Sequence, residues 1–215
     1  MERQKTAIKL NYVREYNIGL ITSILYDAPL SCLEMSKRIG ISDVGVRKIV
    51  KQLEQQGMLK IARENTSPRK KGNQHIRYTI DADYGIFLIV DFTHLSDRFV
   101  VFDYAGNRLL EQGFVIPYLD VTDDDIRRLI AEIKAALAAA GLEDKKLLNV
   151  HLSVPGQIDE KSRCFTISHR FKNYENDYSG SFFKLFEDAF GAPVSAKNNV
   201  AYCLLYTSPS PRDLS

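Results

Sequence analysis

The sequence predicts an α/β chain in two parts: a basic, mostly helical module over residues 1–80, then an acidic module of strands and helices. Three observations lead there. Apolar residues between Asn17 and Gln56 recur at steps of three and four, the helical period, whereas those after Tyr84 gather in strand-length runs. The formal charge of +2 joins unlike halves, because residues 1–80 hold 15 Lys and Arg against 7 Asp and Glu, and the remainder 14 against 20. Such a split suits a basic module that meets a polyanion, joined to an acidic module that does not. The pattern changes character at Asp81–Tyr84, which marks the boundary.

Within the first module, Ile18, Leu20, Ile21, Ile24 and Leu25 predict a helix over Asn17–Tyr26, ended by Pro29. Ser31 is placed to cap a second helix, Cys32–Ile39, with Leu33, Met35 and Ile39 facing inward and Gly40 as its stop. Ser42 caps a third helix reaching Gln56. Its inner stripe is Val46, Ile49, Val50 and Leu53, and its outer side carries Arg47, Lys48, Lys51 and Gln52. Two short helices around a glycine-containing turn form a helix-turn-helix whose last helix reads DNA. The cations suit phosphates, and the short start, Ser42, Asp43, Val44 and Gly45, lets the backbone approach base edges.

Strands Met58–Ala62 and His75–Ile80 follow, and the polar excursion between them, Arg63–Gln74, contains Arg69, Lys70 and Lys71. Placed directly after a reader helix, two strands around a basic loop form a wing that would meet phosphates or the minor groove. The candidate DNA-binding residues are therefore Ser42, Asp43, Val44, Gly45, Arg47, Lys48 and Lys51 on the helix, with Arg69, Lys70 and Lys71 on the wing.

The second module opens with strands Ile86–Phe92, Phe99–Tyr104 and Arg108–Ile116, the last two joined by the turn Ala105-Gly106-Asn107. Thr122 caps a helix running to about Ala140, and Asp123, Asp124 and Asp125 sit at its positive end. Helix-end electrostatics accounts for that acidic run, so no metal site is assigned to it. Leu147–Val154 is a buried strand broken by Pro155-Gly156, where α/β folds place ligands. Helix Ser181–Phe190 precedes a strand, Pro193–Ala196, that delivers Lys197, Asn198 and Asn199 into a loop.

Composition narrows the function classes. Cys32, Cys164 and Cys203 are scattered without metal-type spacing, so neither a disulfide framework nor a zinc site is predicted, and a cytoplasmic compartment is expected. His75, His94, His151 and His169 are dispersed as well. No apolar run approaches the length of a membrane span, and no membrane partner or cofactor is predicted.

Three stretches carry a family resemblance: the hairpin FVVFDYAGNRLLE, the strand and loop LSVPGQIDEKSR, and FGAPVSAKNNVAY. In this order, behind a winged helix, they resemble the ROK family of repressors, open reading frames and kinases, over nearly all of residues 10–202. The resemblance implies that residues 81–202 form the first lobe of an actin/hexokinase-like (ribonuclease H-like) domain. Family kinases carry Asp-x-Gly-Gly-Thr after the first strand, where glycines admit ATP phosphates; the matching residues here are Asp91, Phe92, Thr93, His94 and Leu95. The family's Glu-Asn-Asp, which supplies the general base, is matched by Lys197, Asn198 and Asn199. An amide cannot take up a proton at neutral pH, so phosphoryl transfer is not expected and no catalytic residue is assigned. Asn198 and Asn199 can still hydrogen-bond sugar hydroxyls or cap the next helix.

Residues 203–215, CLLYTSPSPRDLS, interrupt an apolar helical start with two prolines and resemble a translated sequencing adaptor. The expectation is a chain truncated before the family's second lobe, with its Glu-x-Gly-His and zinc motifs, and marginally stable for that reason. The expected function is a sugar-responsive DNA-binding transcriptional regulator, a repressor of carbohydrate metabolism genes. Its partners would be operator double-stranded DNA, a carbohydrate effector and, at full length, further copies of itself. The alternatives are a ROK-type sugar kinase with an added N-terminal module, and a winged-helix adaptor that binds proteins.

Overall fold

The computed structural model describes residues 2–62, 76–93, 96–159 and 161–199, of which residues 2–11 are described by backbone alone. It divides into two units, Met1–Tyr84 with Tyr104–Gly106, and Gly85–Asp103 with Asn107–Ser215.

The first unit contains α1 (Glu2–Asp27), β1 (Leu30–Ser31), α2 (Cys32–Ile39), α3 (Asp43–Gln55), β2 (Leu59–Ile61) and β3 (Arg77–Ile80). Helix α1 begins well before Asn17, where the apolar spacing placed its start. Its added turns carry Tyr12, Val13 and Tyr16 exposed, so no packing stripe marks them in the sequence. Helix α2 has the predicted bounds, but Leu33 faces solvent and Cys32 is buried in its stead, beside Met35. The Ser31 hydroxyl accepts from Glu34 N–H, and the Glu34 carboxylate accepts from Ser31 N–H at 2.8 Å, which closes both ends of a capping box. Gly40 stops the helix at φ 70°, a left-handed conformation natural to glycine, with its N–H on the Ser36 carbonyl.

Strand β3 lies between β1 and β2, antiparallel to both, with Leu30 opposite Tyr78 and Leu59 opposite Ile80. The two-residue β1 has too little pattern to be seen in the sequence. One cluster holds the unit together: Ile21 and Leu25 from α1, Met35 from α2, the inner stripe of α3, and Leu30, Leu59 and Ile80 from the sheet.

The second unit contains β4 (Ile86–Asp91), β5 (Arg98–Asp103), β6 (Arg108–Gly113), α4 (Asp123–Ala139), β7 (Leu147–Val154), β8 (Gln157–Asp159), β9 (Cys164–Ile167), α5 (Ser181–Phe190) and β10 (Val194–Asn198). Strand β6 stops at Gly113, short of Ile116. Strand β10 runs on through Lys197 and Asn198, so these two end a strand rather than occupy a loop. The hairpin of β8 and β9 has no counterpart in the predicted elements.

The main sheet has the order β10-β7-β4-β5-β6, with β10, β7 and β4 parallel and β5 antiparallel to both neighbours. Strict alternation on β4 buries Ile86, Leu88 and Val90 and leaves Phe87, Ile89 and Asp91 half-covered. The buried set joins Val150 and Leu152 of β7, Ile126, Leu129 and Ile133 of α4, and Phe182 and Phe186 of α5 in one core. The Phe182 ring lies 5.0 to 6.3 Å from those of Phe92, Phe165, Phe171, Tyr174, Phe183 and Phe186.

Gly180, at the N-cap of α5, offers no capping side chain, and Asp177 does the capping from a distance. Its carboxylate accepts from the N–H groups of Ser179 (2.9 Å) and Ser181 (3.1 Å) and from both their hydroxyls. These hydrogen bonds lower its pKa from 3.8 to about 2. A carboxyl depressed in the folded state stabilises it fully above its ordinary pKa, and that contribution fades as pH falls toward the folded value. Acid titration of unfolding should therefore show stability lost between about pH 4 and about pH 2. An Asp177→Asn variant, less stable at neutral pH, should lack this component of the acid slope.

Candidate functional site

In the first unit, the three residues Gly40 to Ser42 turn the chain from α2 into α3. The Ser42 hydroxyl accepts from Gly45 N–H at 3.2 Å, satisfying one of the open donors at the start of α3. Gly45 is sterically constrained, because a Cβ there would stand 3.2 Å from both Ile41 Cγ2 and Ser42 Oγ.

With Val46, Ile49, Val50 and Leu53 buried, the opposite face of α3 presents Val44, Arg47, Lys48 and Lys51. Arg47, Lys48 and Lys51 follow Val44 by three, four and seven positions, so the four form one strip along the helix. Val44, at its start, is 78% exposed. Arg47 is tied to Asp43, its Nε donating to Oδ2 at 2.7 Å, so one of the three cations is partly offset. Asp43 thus orients the Arg47 guanidinium. A cation absent from the predicted set reaches this helix too: Arg14 of α1 donates to the side-chain oxygen of Gln52. Arg69, Lys70 and Lys71 lie outside the described residues.

In the second unit, the C-terminal ends of β4, β7 and β10 converge, with Asp91, Ser153 and Lys197 abreast and Asn198 opposite Val154. The Asn198 amide donates to the Gly156 carbonyl and so fastens β10 to the loop after β7. Gly156 is at φ 117°, and a Cβ there would stand 2.4 Å from the Ile167 carbonyl oxygen. Asn199 follows at the same end, half-buried. Just after β4, the Thr93 hydroxyl donates to the Ser96 carbonyl at 2.8 Å and accepts Ser96 N–H at 3.2 Å.

Arg170, which no sequence pattern singles out, organises this end of the unit. It is 3% exposed and forms a two-pronged pair with Asp97. It also donates to the carbonyls of Thr93 (3.3 Å), Pro117 (3.2 Å) and Ile116 (3.5 Å). The three carbonyls belong to the loop after β4 and the segment after β6, so a single guanidinium clamps both.

The acidic run at the start of α4 is occupied locally. Asp125 forms a capping box with Thr122 and pairs with Arg128, and Asp123 accepts the Tyr174 hydroxyl at 2.8 Å. Burial together with that carboxylate pushes the Tyr174 phenol far above its usual range. Among the described residues, no three His, Cys, Asp or Glu side chains are grouped to hold a metal ion, and no helix is long and apolar enough to cross a membrane.

No protein family's sequence profile matches the chain, and no curated protein does. Solved structures do match. A ROK family transcriptional regulator, homologue of the E. coli MLC protein, superposes over 86% of this chain and 46% of its own at TM-score 0.63, with 17% identity. The chain thus spans less than half that regulator's length. The likeness is one of fold, extending over most of the chain. A ROK hexokinase from Thermus thermophilus (18% identity, 53% of this chain and 35% of that one, TM-score 0.42) and a glucokinase from Parabacteroides distasonis (21%, 53% and 30%, TM-score 0.41) are also similar.

Removing the Arg170 side chain leaves a buried carboxylate and several carbonyls without a partner, a change that costs about 3–5 kcal/mol. In urea unfolding, Arg170→Ala should be destabilised by that amount, and the Arg170→Ala/Asp97→Ala double variant by clearly less than the sum of the singles. Additive singles would show that the pair is not coupled.

Proposed function

We propose that this chain belongs to a transcriptional regulator of the ROK family, a repressor of carbohydrate metabolism genes acting in the cytoplasm. Residues 1–80 form a winged helix-turn-helix domain that binds operator DNA, with α3 as the reader in the major groove. Residues 81–202 form part of the sugar-sensing domain. The observation that carries this assignment is the strip Val44, Arg47, Lys48 and Lys51, held toward solvent by an apolar stripe on the opposite face of a capped helix. Its dimensions and chemistry suit a DNA groove: cations for phosphates along the strip, and a short start at Ser42 and Gly45 for base edges. The basic charge of this half of the sequence supports it as well. So does the overlay on a regulator, whose 86% coverage is more than the second unit alone could supply.

In this proposal the second unit reports a carbohydrate to the DNA-binding unit without phosphorylating it. Two features support the loss of phosphoryl transfer. Thr93 occupies a glycine position of the kinase loop and has both its hydroxyl and its carbonyl engaged. Asn199 stands where a kinase needs a carboxylate, and an amide is no proton acceptor. Asn198 and Asn199 are the residues proposed to meet sugar hydroxyls. Binding would change the spacing of two reader helices in an oligomer of the full-length protein.

Duplex DNA binding, followed by fluorescence anisotropy across a salt series, tests the assignment. The Arg47→Ala/Lys48→Ala/Lys51→Ala variant should lose most of its affinity for every sequence. The slope of log affinity against log salt should fall by roughly 2 to 3 for the three phosphate contacts removed. Unchanged affinity in this variant would overturn α3 as the reader.

A further inference from the structure

We propose that Arg14 of α1 joins Arg47, Lys48 and Lys51 as a cation of the DNA-contacting surface, and that it also sets the Gln52 side chain beside it. This rests on α3 being the DNA-facing helix and extends the interface to a second element.

Helix α1 is anchored to the unit's core through Ile18, Ile21, Ile24 and Leu25. One turn before that anchor its residues turn to solvent, with Tyr12 71% and Tyr16 60% exposed. Core packing therefore gives Arg14 no reason to lie where it does. Its guanidinium nevertheless reaches across to α3 and donates to the Gln52 side-chain oxygen. Gln52 lies one turn beyond Lys48 and next to Lys51, so Arg14 adds its charge to the end of the strip already described.

The partner's chemistry matters. Arg47 is paired with a carboxylate, whereas Arg14 is bonded to a neutral amide, which orients the guanidinium and leaves its charge intact. A guanidinium has five N–H donors, and the bond to Gln52 engages one nitrogen, so a forked face remains for a phosphate. Gln52 takes part in the same contact through its oxygen, which accepts from Arg14, so its amide nitrogen is left as a donor. It can then donate to an acceptor on a base edge or to a phosphate.

The test measures binding of the whole chain to a mixed-sequence duplex over a salt series, with far-UV circular dichroism to confirm that helix content is kept. Arg14→Gln should weaken binding several-fold for all sequences and reduce the salt slope by about one. Arg14→Lys should restore the slope, because it returns the charge. Gln52→Ala should leave the slope unchanged. If Arg14→Gln keeps the parent affinity and slope while Lys48→Ala/Lys51→Ala loses both, α3 remains the reader and the role of Arg14 is refuted. If the lysine double variant also binds like the parent, the assignment of α3 itself fails, and the result is distinct from the first.

Discussion

The rotation of α3 about its own axis is the constraint on which the first unit depends. Val46, Ile49, Val50 and Leu53 are all buried, and a side chain of this kind contributes about 1.5–3 kcal/mol when fully removed from water. Repulsion between cations on the outer face is a fraction of that per pair at surface dielectric and is weakened further by salt. Burial therefore wins, and it sets the direction of every other residue on the helix. Arg47, Lys48 and Lys51 face solvent because they lie opposite the stripe, and the Asp43–Arg47 pair relieves part of the crowding. The turn from Gly40 to Ser42 supplies the rest, ending α2 in a left-handed residue and starting α3 on a capping hydroxyl.

A different constraint governs the second unit. Parallel pairing of β4, β7 and β10 brings their C-terminal ends together with the connections after β4 and β7, and such connections carry backbone groups that need partners. Arg170 and Asn198 satisfy several of these at once, through the carbonyls of Thr93, Ile116 and Pro117 and of Gly156.

How much of this was legible in the sequence depended on the range of the interaction. Helices α2 and α3 and strand β7 stand where stripes and caps placed them, because period, cap and stop are local. From Tyr12 to Tyr16 the missed turns of α1 carry exposed residues and so no period, and β1, β8 and β9 are too short to develop one. Leu33 shows the limit of a short helix: with eight residues, the stripe could be drawn through Cys32 or Leu33, and packing chose Cys32. The two contacts that most change the picture of the sites are pairings at long range. Arg14 and Gln52 are 38 residues apart, and Arg170 and Asp97 are 73 apart. Periodicity holds no information about such pairs. The basic segment with Arg69, Lys70 and Lys71 was legible only as composition, and it lies outside the described residues.

The most direct test of the central claim is to map backbone amide shifts of the chain on titration with duplex DNA. The account predicts salt-sensitive perturbations concentrated from Ser42 to Gln52 on α3 and around Arg14 on α1, with the buried residues of α2 and the sheet of the second unit little changed. Perturbations that spare α3, or that centre on the second unit, would contradict it.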